Sequence, residues 1–228
     1  MGLEALLRWY DPEEGFIPPP NIFIPVAEVT GLILPIGEWV LHEACRQARA
    51  WQKAGYPLVI ISVNVSSVQF NRQDVAQVIQ KALDSSKLYP PFLEIEITES
   101  AIMSQTDHAE EALSAVRALG VKIALDDFGT AYSSLSYLRH FPIDTLKIDR
   151  SFIIDIDTNQ ECAEIVEAIA AMAHALKLRV VVEGIETKDQ LAVVVERNCD
   201  VIQGFVFSRP RPAEEIPQLL IQCNLKSA

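Results

Sequence analysis

Basic charge is scarce in this chain: 19 Lys and Arg stand against 31 Asp and Glu, a formal net charge of -12 over 228 residues. A surface of that sign repels a long polyanion, which argues against duplex nucleic acid as a partner. A small phosphorylated substrate is compatible with it, because bound divalent cations reverse the field inside an acidic cleft. Cysteine is sparse as well. Cys45, Cys162, Cys199 and Cys223 form no CxxC pair and no framework, so they read as reduced intracellular thiols. No apolar run approaches the roughly 18 to 20 residues of a membrane span, and Met1 and Gly2 lead straight into LEALLRW without the order of a signal peptide. The expectation is a cytoplasmic chain, the C-terminal module of a longer protein. Half of its residues are apolar, with Pro and Gly scattered, which excludes disorder and collagen-like repeats and suffices for one domain with a sizeable core.

Short β-branched runs alternate with helical stretches, the pattern of an α/β fold with mainly parallel strands. Strands are expected at 58–65, 92–98, 121–126, 144–149 and 178–183, with weaker ones at 3–8 and 200–202, the last continuing through 205–207. Helices are expected at 36–54, 72–85, 107–119, 159–177, 187–196 and 213–222, with Asp107 and Thr187 as N-caps. The stretch holding Pro18, Pro19, Pro20 and Pro25 reads as a structured loop. Seven strands fall one short of a closed (β/α)8 barrel, so either one strand precedes residue 1 or the sheet is open.

A strand buried on both sides should be apolar nearly throughout, yet almost every strand here carries a polar residue within it or just after it. These are Glu4, Asn64, Glu96, Asp126 with Asp127, Lys147, Glu183 and Gln203. Apart from Glu4, each stands toward the C-terminal end of its strand, the end that carries the active site in barrels. Singly, each is as well explained by a buried ion pair or a helix cap. Together, several acids and an amide converging on one ring repel one another unless cations neutralise them, and Lys147 is the one basic residue in the set. Hard oxygen donors suit Mg2+ or Mn2+, and there is no clustered His or Cys to suggest zinc. Adjacent Asp126 and Asp127 fit a two-metal site, in which one carboxylate bridges ions about 3.5 to 4 Å apart while its neighbour serves one.

LEALLRW at 3–9, FIPVAE at 23–28, NVS at 64–66, EITES at 96–100, DDFGTAYSSLSYL at 126–138, LKIDRSF at 146–152, VVEGIET at 181–187 and QGFVFSRP at 203–210 resemble the EAL-domain family of bacterial cyclic di-GMP phosphodiesterases, in order and along essentially the whole chain. The resemblance implies an α/β fold, a TIM-like (β/α)8 barrel whose first strand runs antiparallel to the rest. It implies two Mg2+ or Mn2+ ions: Glu4, Asn64, Glu96 and Asp126 at one, Asp126, Asp127 and Glu183 at the other. Lys147 would steady the attacking water or the departing charge, and Glu183 would be general base or ligand only. One phosphodiester of the ring would open to the linear di-guanylate, and Ca2+, with looser geometry and a weaker effect on bound water, would bind but inhibit. The resemblance further implies that Glu99 anchors the loop 128–134, with Gly129 at a tight turn and Ser133 and Ser134 in local hydrogen bonds. Arg8 would reach substrate phosphate, with a structural salt bridge as its alternative, and Gln203 would join a guanine or water network.

Two departures stand out. Ala131 replaces the glycine that usually follows DDFGT, a change that disfavours a left-handed backbone. The family's strand and helix ahead of the EAL motif are absent, which leaves an N-terminally incomplete barrel with exposed sheet edges that invite pairing, hence an expected homodimer. Regulatory domains are expected upstream in the parent protein. Two other classes compete with the enzyme: a degenerate domain that only senses cyclic di-GMP, and an interaction scaffold. Such receptors have typically lost an acid or the lysine, whereas all seven matching positions are intact here.

Overall fold

The computed structural model describes residues 1–13, 15, 18–103, 106–129 and 138–225. Seven strands form one sheet in chain order, and every neighbouring pair is parallel. They are β1 (Gly2–Ala5), β2 (Ile60–Asn64), β3 (Leu93–Thr98), β4 (Lys122–Phe128), β5 (Thr145–Ile148), β6 (Arg179–Val182) and β7 (Val201–Ile202). The expected strands are all present. Residues 205–207 do not extend β7, because the chain turns there instead.

The connecting helices are α1 (Pro20–Thr30), α2 (Ile33–Lys53), α3 (Ser67–Arg72), α4 (Val75–Ser86), α5 (Glu99–Met103), α6 (Thr106–Ala118), α7 (Gln160–Ala175), α8 (Lys188–Glu196) and α9 (Ile216–Leu225). The proline-rich stretch is thus a helix for most of its length and not a loop. Pro20 occupies the first turn, where its missing N–H is no loss, and Gly31 ends α1 at φ 76°. Pro25 inside the helix is solvent-exposed, so the carbonyl it leaves unbonded can meet water. Thr187 caps α8 through a reciprocal box with Gln190. Asp107 is not a cap, since α6 already begins at Thr106.

Side chains alternate across the sheet. Ile61, Val63, Leu93, Ile95, Ile97, Ile123, Leu125, Leu146, Ile148, Val180 and Val182 face outward and are buried beneath the helices with Leu41, Ile79, Leu113, Val166 and Ala173. Each such burial contributes about 1.5 to 3 kcal/mol. The inner face is polar, carrying Ser62, Glu94, Glu96, Asp126, Thr145, Lys147 and Glu183, so the strands alternate and are not apolar throughout.

The sheet curls without closing. Gln203, just after β7, donates to Glu4 on β1 at 2.6 Å, although no backbone ladder joins β1 to β7 among the described residues. Leu220 of α9 packs with Trp51 and Val59, with Leu3 beside them, which draws the chain's last helix against the start of β1. At the opposite, N-terminal end of the strands two carboxylates act as clamps. Asp144, ahead of β5, accepts the Ile123 N–H at 3.0 Å and pairs with Arg117. Asp200, ahead of β7, accepts the Val180 N–H at 2.8 Å and pairs with His174 at 3.0 Å.

Candidate active site

At the C-terminal ends of the strands the polar residues form two linked groups. Glu4 is held by amides at both oxygens: Asn64 Nδ2 donates to Oε1 at 2.7 Å and Gln203 Nε2 to Oε2 at 2.6 Å. Beside it Lys147, 2% exposed, projects its ammonium among three carboxylates. Nζ lies 2.7 Å from Glu96 Oε2, 3.2 Å from Asp126 Oδ1 and 2.5 Å from Glu183 Oε1. The Glu96 and Glu183 contacts are the two shortest of the three, and both carboxylates are drawn to the one ammonium.

Adjacent aspartates in a regular strand would point to opposite faces. Here the β4–β5 register shifts between Leu125 and Phe128, and Asp127 takes the left-handed conformation at φ 56°. The irregularity turns Asp127 back toward the mouth, where burial, Asp126 and Asp149 push its carboxyl above the ordinary range. Gly129 follows at φ 95°, and a side chain there would meet the Phe152 ring at 2.8 Å. Its N–H donates to buried Glu99 Oε2 at 3.3 Å, so α5 holds the exit of β4. Gly184, at φ 75°, lets the segment after Glu183 pass against Arg150.

Acid outnumbers base in this space. Burial, together with the charges of Glu4 and Asp126, pushes Glu96 up to about 8 against the pull of Lys147. Burial and Asp126 push Glu183 up to about 7. Burial alone would lower Lys147, but Glu96, Asp126, Glu183 and Glu4 outweigh it and hold the ammonium charged well above the usual range. One ammonium cannot neutralise four carboxylates at once.

That imbalance tests the fit of a divalent cation. Oxygen donors in excess negative charge around one ammonium are chemically what a hard cation takes. Among the described residues no three Asp, Glu, His or Cys side chains stand close enough to coordinate one ion as placed, because Lys147 Nζ occupies the centre of the group. The donor set therefore fits in chemistry and charge.

The structure brings Glu4, Asn64, Glu96, Asp126, Asp127, Lys147, Glu183 and Gln203 to one mouth. Arg8 stands apart from the two linked groups: it is exposed, donates to the Leu7 carbonyl at 2.8 Å and makes no ion pair among the described residues. Ala131, Ser133 and Ser134 lie outside the described residues. Sequence reasoning missed a second polar layer beneath the mouth, in which buried Glu94 accepts Ser62 Oγ at 3.0 Å and Thr145 Oγ1 at 2.9 Å. The signal was available, since Glu94 is two residues from Glu96 and so shares its face. It also missed Gln190, whose buried amide accepts from the Glu186 and Thr187 N–H groups and donates to the Ile153 and Ile154 carbonyls, fixing the segment after Glu183.

Known proteins resemble this chain along most of its length. The chain is 47% identical to the signaling protein YkoW of Bacillus subtilis over 221 residues, covering 97% of this chain and 27% of that protein. It is 44% identical to the cyclic di-GMP phosphodiesterase NbdA of Pseudomonas aeruginosa over 218 residues, covering 96% of this chain and 28% of that protein. The chain thus spans little more than a quarter of the length of either relative. Its fold matches the solved PaMucR phosphodiesterase in complex with c-di-GMP at a TM-score of 0.90 and 45% identity, covering 94% of this chain and 87% of that one. Phosphodiesterases of this kind are generally dependent on divalent metal. The EAL domain profile matches residues 1–210, and the chain belongs to the EAL domain family.

Proposed function

We propose that the chain is a phosphodiesterase that hydrolyses cyclic di-GMP to the linear di-guanylate. The observation that carries this reading is the gathering of Glu96, Asp126 and Glu183 around one buried ammonium at the mouth, with acid in excess. Glu4, Asn64, Glu96 and Asp126 would hold one Mg2+ or Mn2+, and Asp126, Asp127 and Glu183 a second. Ions bound there would bring the pKa of water toward neutrality and offset charge on the phosphoryl oxygens. Glu183, placed at the same mouth beside Lys147, would accept the proton that the attacking water loses. The water oxygen bonds to phosphorus, the bond from phosphorus to one ribose oxygen breaks, and that oxygen takes up a proton from solvent, so that one water is added across the P–O bond. Lys147 donates to the water or to the departing oxygen, since its ammonium stays charged. Glu99 acts at one remove by holding Gly129 and with it the exit of Asp126 and Asp127.

Arg8 is assigned to a substrate phosphate, supported by its exposed guanidinium, which makes no ion pair among the described residues. Gln203 is assigned to the substrate or water network, with its amide nitrogen held on Glu4 and its oxygen left for that role. A homodimer, a cytoplasmic location and regulatory domains upstream go with this reading. The free thiols of Cys45, Cys162 and Cys199 and the longer relatives support the last two.

Chromatographic product analysis tests the proposal. Linear di-guanylate should form in Mg2+ or Mn2+, and none in EDTA or in Ca2+ alone. Tight binding of cyclic di-GMP without turnover in any metal would leave a receptor in place of the enzyme.

A further inference from the structure

Two hydrogen-bonded rungs cross the inner face of the sheet with the same offset. Glu94 accepts from Thr145 Oγ1 at 2.9 Å and Glu96 from Lys147 Nζ at 2.7 Å, each partner 51 positions further on. Both rungs run from β3 to β5, so both pass over β4. The register puts Ala124 beneath them, opposite Glu96 on one side and Thr145 on the other. Asp126 reaches inward to Lys147, and by alternation Ala124, two residues earlier, faces the same way. Ala124 is fully buried, yet unlike Ile123 and Leu125 it takes no part in the apolar packing on the outer face. Adjacent strands lie about 4.8 Å apart, so each rung bridges roughly 10 Å and requires a short side chain on β4 between its ends.

We infer that Ala124 is a positioning residue of the site, small so that Glu94 and Glu96 can cross β4 to Thr145 and Lys147. The lower rung, steadied by Ser62 on the other oxygen of Glu94, sets the height at which the upper rung holds the lysine. Valine at 124 suits a strand better than alanine but fills the space the rungs cross. Folding and site geometry therefore part company at this position. The consequence for turnover rests on the phosphodiesterase reading, whereas the consequence for the Lys147 ammonium does not.

The test compares Ala124→Val with Ala124→Ser, which keeps the side chain short. In metal-free, 15N-labelled protein, a buried and hydrogen-bonded lysine ammonium gives a slowly exchanging resonance, assigned to Lys147 by its loss in Lys147→Met. Wild type and Ala124→Ser should show it, and Ala124→Val should lose it while its thermal unfolding midpoint stays within about 5 °C of wild type. With Mg2+ and cyclic di-GMP, kcat of Ala124→Val should fall on the order of 10- to 100-fold with KM within about threefold, and Ala124→Ser should stay within about twofold of wild type. A folded Ala124→Val that keeps both the resonance and a near-normal kcat overturns the inference. Should valine prevent folding, Ala124→Cys carries the test: kcat well below that of serine supports the inference, and equal values overturn it. A wild type without turnover defeats the phosphodiesterase reading alone, and the resonance then decides the role of Ala124.

Discussion

The two ends of the sheet use carboxylates in opposite ways. At the N-terminal ends Asp144 and Asp200 each accept a backbone N–H of an earlier strand and each have a basic partner of their own, Arg117 and His174. Although burial works against it, the Val180 N–H and His174 hold Asp200 below the usual carboxylate range. At the C-terminal ends Glu96, Asp126 and Glu183 share Lys147, and burial and mutual repulsion lift Glu96 and Glu183. The same functional group is thus structural where its donors are complete and poised for a ligand where they are not. Glu4, at the mouth but with an amide donor on each oxygen, stands between the two uses.

Removing the shared cation should break the comparison most sharply. Lys147→Met is expected to lower turnover on the order of 100- to 1,000-fold and to destabilise the metal-free protein by about 3 kcal/mol, because buried carboxylates lose their counter-ion. Urea unfolding with and without Mg2+ should show the metal restoring more stability to this variant than to wild type. The matching change at the other end, Arg117→Met, should cost at most about 1 kcal/mol, since that ion pair is half exposed, and should leave turnover intact. Equal losses from the two variants would erase the distinction.

Taking away one acid comes next. Asp126→Asn preserves shape while removing a charge shared by both proposed metal positions, so turnover should fall on the order of 100-fold. Stability in EDTA should hold or rise, because the acid excess is relieved. A clear loss of stability would mean that Asp126 belongs with the structural acids.

The smallest effect is the pH dependence of the two ends. Glu96 and Glu183 stand above their ordinary 4.5, at about 8 and about 7, so between those values the folded chain holds more protons than the unfolded one. In EDTA, stability should therefore fall as pH rises from about 5 to 8, by at most about 1.4 kcal/mol per pH unit for each proton released. Asp200 works the other way. Its contribution is present above its ordinary 3.8 and is lost as pH falls through its lowered folded value, so Asp200→Asn should flatten the acid limb. Chemical denaturation across pH separates the two limbs.

The strands and most of the site were legible in the sequence because both rest on local signals. β-branched runs marked the strands, and a polar residue at each strand end marked the mouth. α1 was obscured because three consecutive prolines read as loop chemistry, although a proline in the first turn favours helix. Glu94 was passed over for a different reason: its partners Ser62 and Thr145 lie 32 and 51 positions away, and only the strand register brings them together. Ala124 is less visible still, since its part in the site is the absence of bulk, and a small residue in a strand announces nothing by itself.

The bond from Gln203 to Glu4 spans 199 positions, nearly the whole chain. A closure that long has a substantial entropic cost and forms late, because the intervening layers must be in place before the ends meet. A chain not yet synthesised through residue 203 holds Glu4 by Asn64 alone. Completion of the site becomes a report on completion of the fold, since a nascent or clipped chain without residue 203 lacks one of the two amides that hold Glu4.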